Sequence, residues 1–416
     1  MRVMKRLAVC LVGLLICGCG GDDAALSSTP SEATGTRGTL GDGGVSEFYR
    51  YDGEIPSTPG ILLRQEPLQA HQSIPSAAEN IRLLYSSTNG LDGKTPVAVS
   101  GGLFLPQGEP PESGWPLILW SHGTVGIADV CAPSWTGYVP FHQEHLRRWL
   151  QSGYAIVASD YQGLGTSGTH PYLATRPEAF SNLDVIRAVQ SADFPLSSEV
   201  VVAGQSQGAG AALATAGYAS DYAPEIRLRG VVATGVPYFT PEALVAVQQA
   251  RPRDVVDPML GYNFLVLSLV EQLDPTFDAA DYVYESVQPT ARAVQAVCNR
   301  DMRAKIEDLG LTYDNTFKRS PPLEQGFEKM QFPTLALSVP LYVGTGSNDR
   351  DTPPRMQARL VDAACEAGSN VSAHLYEGYD HLTVLNHSLV DSIPFVKAVF
   401  SGEELRGNCD SLPFDN

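Results

Sequence analysis

The chain has 416 residues, is 43% hydrophobic and 18% charged, and carries a formal net charge of -18. This composition excludes a disordered or low-complexity protein and leaves room for one large domain or two small ones. The negative balance argues against nucleic acid and anionic membrane surfaces as partners, and no nucleic-acid partner is expected.

Met1–Arg6 is a basic opening, and Leu7–Ile16 is an apolar stretch too short to span a bilayer. It runs into Ile16-Cys17-Gly18-Cys19, which has the form of a bacterial lipobox. Residues 1–18 therefore read as a lipoprotein signal peptide, with Cys19 as the acylated residue; an ordinary signal peptide cut nearby is the plainer alternative. Residues 19–45, rich in Gly, Ser, Thr, Asp and Ala, read as a flexible tether. The expectation is an exported monomer held to a membrane by its N-terminal lipid anchor. Its place would be the bacterial cell envelope (periplasm or outer surface), or it would be secreted. Of seven cysteines, three lie in the export signal. The remaining four, Cys131, Cys298, Cys365 and Cys409, suggest two disulfides, for which three pairings are possible.

From about Phe48 the pattern is strand then helix, repeated. Ile81–Ser87 and Val97–Leu105 read as strands joined by the hairpin-like Asn89-Gly90-Leu91-Asp92-Gly93, an antiparallel edge. Leu117–Trp120 is a short apolar run, His142–Gln151 a helix and Tyr154–Ser159 a buried strand. Glu178–Ser191 has helical spacing at Ala179, Leu183, Ile186 and Val189. Val200–Ala203 is a strand and Ala209–Tyr218 a small-residue helix. Leu228–Thr234, Leu341–Gly344 and Val371–Tyr376 are further strands, with helices at Pro354–Ala367 and Ile393–Phe400. The alternation predicts an α/β fold with a mostly parallel sheet flanked by helices. The rhythm breaks over residues 241–335, where Leu244–Val247, Phe264–Leu267 and Ala293–Val297 are apolar runs between Pro- and Asp-rich turns. This predicts a helical insertion, a cap or lid, within a core made of residues 46–240 and 336–416.

The most informative stretch is Val200-Val201-Val202-Ala203-Gly204-Gln205-Ser206-Gln207-Gly208-Ala209. A β-branched run ends in Gly-x-Ser-x-Gly and small residues follow. A strand, a tight turn and a helix are written this way when a serine must stand exposed on the turn. The bare pattern arises by chance too readily to stand alone, so partners must be found downstream. Leu341–Gly344 leads into Asp349, whose carboxylate would hold a histidine in its correct tautomer. Asp351 is the rival; Asp349 is preferred because Pro353 and Pro354 begin the next helix. The plainer role of either is a turn former or helix cap. His381 follows the last strand in a Gly/Asp loop, whereas His374 lies in a strand and His387 in a helix. Ser206, Asp349 and His381 stand in the chain order of α/β-hydrolase triads. An oxyanion needs donors as well: the backbone N–H of Gln207, and that of Thr124 in Ser121-His122-Gly123-Thr124 after an early strand. The His122 side chain is read as a brace for that loop.

His142, Glu144 and His145 lack metal-ligand spacing and read as a packed helix face. Gly163-Leu164-Gly165-Thr166-Ser167-Gly168 has no P-loop lysine and reads as a turn at the rim of the active site.

At these residues the body resembles the secretory lipase family of the α/β-hydrolase superfamily. Ser121–Thr124 followed by Cys131-Ala132-Pro133-Ser134 resembles the family's oxyanion loop. Asp160-Tyr161-Gln162-Gly163-Leu164-Gly165 resembles its Asp-Tyr-x-Gly-x-Gly turn, and Gly204–Gly208 its nucleophile elbow. The resemblance covers about residues 60–410. It implies a helical cap between the sixth strand and the acid. It also implies two disulfides, one tying the oxyanion region to the cap and one enclosing the histidine, which would be Cys131–Cys298 and Cys365–Cys409. Gln207 stands where some members have glycine, a change that keeps a backbone donor. The expected activity is hydrolysis of lipid-like or small esters through an acyl-enzyme, with no metal and no organic cofactor. A serine peptidase of the same fold is the alternative, with Asp257, Glu271, Asp274 and Asp278 available to hold a substrate amine. A non-catalytic surface protein on this scaffold is the third reading.

Overall fold

A computed structural model describes residues 41–242 and 251–414. The signal peptide, Cys19, most of the tether and Leu244–Val247 lie outside the described residues. Nine strands form one sheet: β1 (Leu62–Pro67), β2 (Glu79–Thr88), β3 (Pro96–Leu105), β4 (Trp115–Ser121), β5 (Ala155–Ser159), β6 (Leu196–Gln205), β7 (Arg227–Thr234), β8 (Leu341–Gly346) and β9 (Val371–Tyr376). Their spatial order is β1-β2-β3-β5-β4-β6-β7-β8-β9. β1, β2, β3 and β5 pair antiparallel in turn, and β5, β4 and the strands beyond pair parallel. The chain passes from β4 outward to β5 and then back across to β6. The loops leaving β4 and β6 thus diverge at a switch point, where open α/β sheets leave a crevice.

Period-two alternation divides each central strand between two cores. Leu117, Leu119, Val200 and Val202 face α2 (Thr175–Gln190), α3 (Gln207–Tyr222) and α6 (Pro354–Glu366), whose Leu183, Ala212 and Leu360 are fully buried. Ile118, Trp120, Val201 and Ala203 face α1 (Pro140–Gln151) and α7 (Leu389–Ser401) through Leu146, Trp149 and Val396. Full burial of each large apolar side chain contributes about 1.5–3 kcal/mol relative to exposure. The β-branched run before Ser206 is therefore buried on both faces, as central parallel strands are.

The antiparallel edge has three strands rather than the two expected. β1 pairs with β2, but its sequence, Leu62-Leu63-Arg64-Gln65-Glu66-Pro67, is half-exposed and ends in proline. Such an edge strand carries little alternation to read.

The segment between β7 and β8 contains α4 (Leu260–Leu273), α5 (Asn299–Asp308) and shorter helical turns. It has a core of its own, in which Leu265, Leu267, Val270 and Met302 are buried with Tyr172 and Ala174 of the main body. Disulfides join Cys131 to Cys298, at the start of α5, and Cys365 to Cys409. The second closes a span of 44 residues that holds β9 and His381. Replacing both Cys365 and Cys409 by serine is expected to remove about 2–5 kcal/mol of stability, read as a lower denaturation midpoint.

Candidate active site

Ser206 sits between β6 and α3 with φ 57° and ψ -124°, a conformation that costs a side-chain-bearing residue energy. The flanking glycines are required by close approach. A Cβ on Gly204 would lie 2.0 Å from the Gly208 carbonyl oxygen, and one on Gly208 would lie 1.9 Å from that of Ser121. Only hydrogen at both positions lets strand, turn and helix converge. The Ser206 N–H donates to Thr234 O at 3.0 Å, which pins the turn to β7. Small residues then let α3 lie close on the sheet, with Ala209, Ala211, Ala212 and Ala214 buried.

His381 and Asp349 come together from the loops after β9 and β8. His381 Nδ1 is 2.7 Å from Asp349 Oδ2, and the carboxylate is only 3% exposed. Asp349 Oδ1 accepts the N–H groups of Asp351 and Thr352, each at 2.9 Å. Thr352 Oγ1 donates to Asp349 Oδ2 at 2.9 Å and lies 3.3 Å from His381 Nδ1. Burial disfavours the imidazolium, but the hydrogen bond and charge of Asp349, helped by Asp351, outweigh it and raise the His381 pKa above 6.5. Asp351 does not meet His381 directly; it pairs with Arg303 of α5 at 3.2 Å.

Ser206 and His381 line one open cleft of about 1310 Å³, together with Gly123, Thr124, Phe141 and Leu382. The Ser206 hydroxyl makes no hydrogen bond to His381 in this structure, a looseness common before substrate is bound. Ser206 also borders a smaller cavity of about 560 Å³, walled by Leu173, Phe239, Leu260, Val266 and Phe327. Thr124 and Ser206 border both spaces. A Cβ on Gly123 would fall 3.5 Å from Ser206 Cβ, so the loop after β4 runs directly beside the serine. Gln207 is the first residue of α3, and its N–H has no acceptor within the helix.

A model of the secretory lipase family matches residues 134–408. The chain belongs to the secretory lipase family. It is thereby a carboxylic ester hydrolase, and family and disulfides together mark it as exported. It is 23% identical to lipase A of Moesziomyces aphidis, over 91% of this chain and 85% of that protein. Its fold is similar to that of Candida antarctica lipase A, with a TM-score of 0.71, 20% identity and 88% of each chain covered. It is also similar to the rice cell wall degrading esterase LipA of Xanthomonas oryzae, with a TM-score of 0.64, 22% identity and 82% and 97% of the two chains covered.

The other residues singled out in the sequence serve this site indirectly or stand apart from its chemistry. The Gly163–Gly168 turn does not form the rim. Tyr161–Thr166 are buried, Tyr161 Oη donates to His122 O at 3.0 Å, and Asp160 O lies 3.2 Å from His122 Nε2. Asp160 and Tyr161, just before the turn, thus brace the loop after β4, while Ser167 and Gly168 are exposed. His122, fully buried, has its Nδ1 2.8 Å from Gly123 O. His142 and His145 pack against Trp120, and burial pushes both imidazoles down to about 3. Of the acids suggested for an amine site, only Asp257 lines either cavity, and Arg251 holds it at 2.9 Å.

Several residues that shape the site were not apparent from the sequence. Gln205 Nε2 donates to His381 O at 3.1 Å, tying the histidine loop to the serine turn. Thr352 and Gln357 close around Asp349, the latter with Nε2 3.2 Å from Oδ2. The spacing of Asp349 and Thr352, three residues apart before a helix, was the available signal. Gln205 carried none beyond standing next to the serine.

Proposed function

We propose that the chain hydrolyses esters through an acyl-enzyme on Ser206. His381 takes the Ser206 proton and delivers it to the leaving alcohol, and Asp349 orients the imidazole and stabilises its charged form. The N–H groups of Thr124 and Gln207 hold the oxyanion, and water then releases the acyl group. One observation carries this reading. A serine in a strained strand-to-helix turn shares a cleft with a histidine whose far nitrogen is held at 2.7 Å by a buried carboxylate. The apolar cavity beside Ser206 suits an acyl chain, the open cleft suits the alcohol, and residues 241–335 act as the cap that walls the former. No metal or organic cofactor enters any step. The lipobox-like motif supports removal of residues 1–18 and lipid attachment at Cys19 as a further part of the reading.

A fluorophosphonate is expected to label the protein at Ser206, located by peptide mapping. Nitrophenyl esters are expected to be turned over where aminoacyl anilides are not. Labelling at another residue, or anilide turnover exceeding ester turnover, refutes the proposal.

A further inference from the structure

Only three non-glycine residues among those described have positive φ: Tyr161 (72°), Leu173 (60°) and Ser206 (57°). The turn explains Ser206. Leu173, half-buried in the wall of the smaller cavity, is the third residue of a turn closed by the Ala174 N–H on Pro171 O at 3.0 Å, an uncommon conformation for a leucine. Strain of this kind persists only where surrounding contacts impose it. The Leu173 N–H also favours the charged form of the carboxyl of Glu178, which lies in the first turn of α2 and is 1% exposed.

The same carboxyl has a second partner. Gln207 Nε2 donates to Glu178 Oε1 at 2.7 Å and lies 3.0 Å from His170 Nε2. His170 Nδ1 is 2.9 Å from Gln162 O and must donate to it, so Nε2 is the acceptor and the second Gln207 amide hydrogen points there. Burial keeps His170 neutral, with its pKa down to about 4. Both amide hydrogens of Gln207 are thus engaged, and its side chain has one orientation. On the other arm, Tyr172 directly precedes Leu173, and its hydroxyl lies 2.8 Å from Thr124 Oγ1.

We infer that Glu178 is a positioning residue of the ester-hydrolysis site: its buried carboxyl joins the Leu173–Tyr172 segment to the Gln207 side chain and so sets the spacing of the Thr124 and Gln207 N–H groups. This rests on the roles proposed for Ser206, Thr124 and Gln207. Glu178 lines neither cavity and acts through these neighbours. The groups facing it are Gln207 from α3, and Tyr161, His170, Tyr172 and the Leu173 N–H from the segment after β5. No Lys or Arg among the described residues forms an ion pair with it. Burial pushes its pKa up to about 8. Below that pH it is a neutral brace. Above it a carboxylate stands against the Gln207 side chain, and its charge opposes through space the negative charge the oxyanion donors are there to stabilise.

The test is kcat and KM for a nitrophenyl ester, from neutral to alkaline pH, with Ser206→Ala as control. Glu178→Ala is expected to lower kcat about 10- to 100-fold with KM within about twofold, because small misplacements of oxyanion donors act on the transition state. Glu178→Gln keeps an acceptor for the Gln207 amide. It is expected to restore kcat at neutral pH and to lack the loss of rate that the parent protein shows above about pH 8. Should Glu178→Ala not fold, the alkaline limb of Glu178→Gln decides alone: a limb identical to the parent's overturns the inference. Turnover that is lost in Ser206→Ala but untouched in Glu178→Ala overturns the role of Glu178 only. Turnover that survives Ser206→Ala overturns the parent reading with it.

Discussion

Ser206→Ala and His381→Ala are each expected to lower kcat for ester hydrolysis by about six orders of magnitude, and the double variant by no more than either alone. The serine is a weak nucleophile until a base removes its proton, and the base has nothing to activate once the serine is gone. Their contributions are therefore one contribution, and removing both repeats a loss already taken. What survives should exceed the uncatalysed rate by about 10³–10⁴, the share held by oxyanion donors and binding. The fold should persist in Ser206→Ala, because alanine pays the same strain at φ 57° and the turn's backbone bond to Thr234 is unchanged. The measurement is kcat for a nitrophenyl ester with circular dichroism as the folding control. Additive losses in the double variant would mean that Ser206 and His381 act on separate steps.

The serine turn was legible because everything that shapes it is local. Val200–Val202 must be buried on both faces, Gly204 and Gly208 admit no Cβ, and Ala209–Ala214 must lie close to the sheet. The pairing of Asp349 with His381 was legible through chain order, each standing one loop beyond a strand. What escaped reading depends on distant partners. Glu178 and Gln207 are 29 positions apart, and each looks like an ordinary polar residue on a helix until α2 and α3 pack together. The Gly163–Gly168 turn has the composition of an exposed loop, yet its first four residues are buried behind Tyr161, whose hydroxyl donates to His122 O. The strand β1 has no clear alternation because it is an edge, recognisable only through its ladder with β2.

Asp349→Asn is expected to reduce kcat about 10⁴-fold, whereas Asp351→Asn should cost far less. The two carboxylates are two residues apart and both border the open cleft, so proximity to the site does not separate them. Their partners do. Asp349 is buried and holds His381 Nδ1 at 2.7 Å, while Asp351 reaches outward to Arg303 at 3.2 Å and influences His381 only through space. An asparagine at 349 still fills the cradle made by Thr352 and Gln357. It can turn its amide hydrogens toward Nδ1, which then accepts, so the imidazole proton sits on Nε2 and no lone pair faces Ser206 to take its proton. The pH profile provides an independent reading. His381 must be neutral to act as a base, so kcat/KM falls as pH drops through its pKa, which Asp349 raises above 6.5. Removing that charge leaves burial as the stronger influence, and the acid limb of the residual activity should move to lower pH. A limb that stays in place in Asp349→Asn but shifts in Asp351→Asn would assign the orienting role to the second carboxylate.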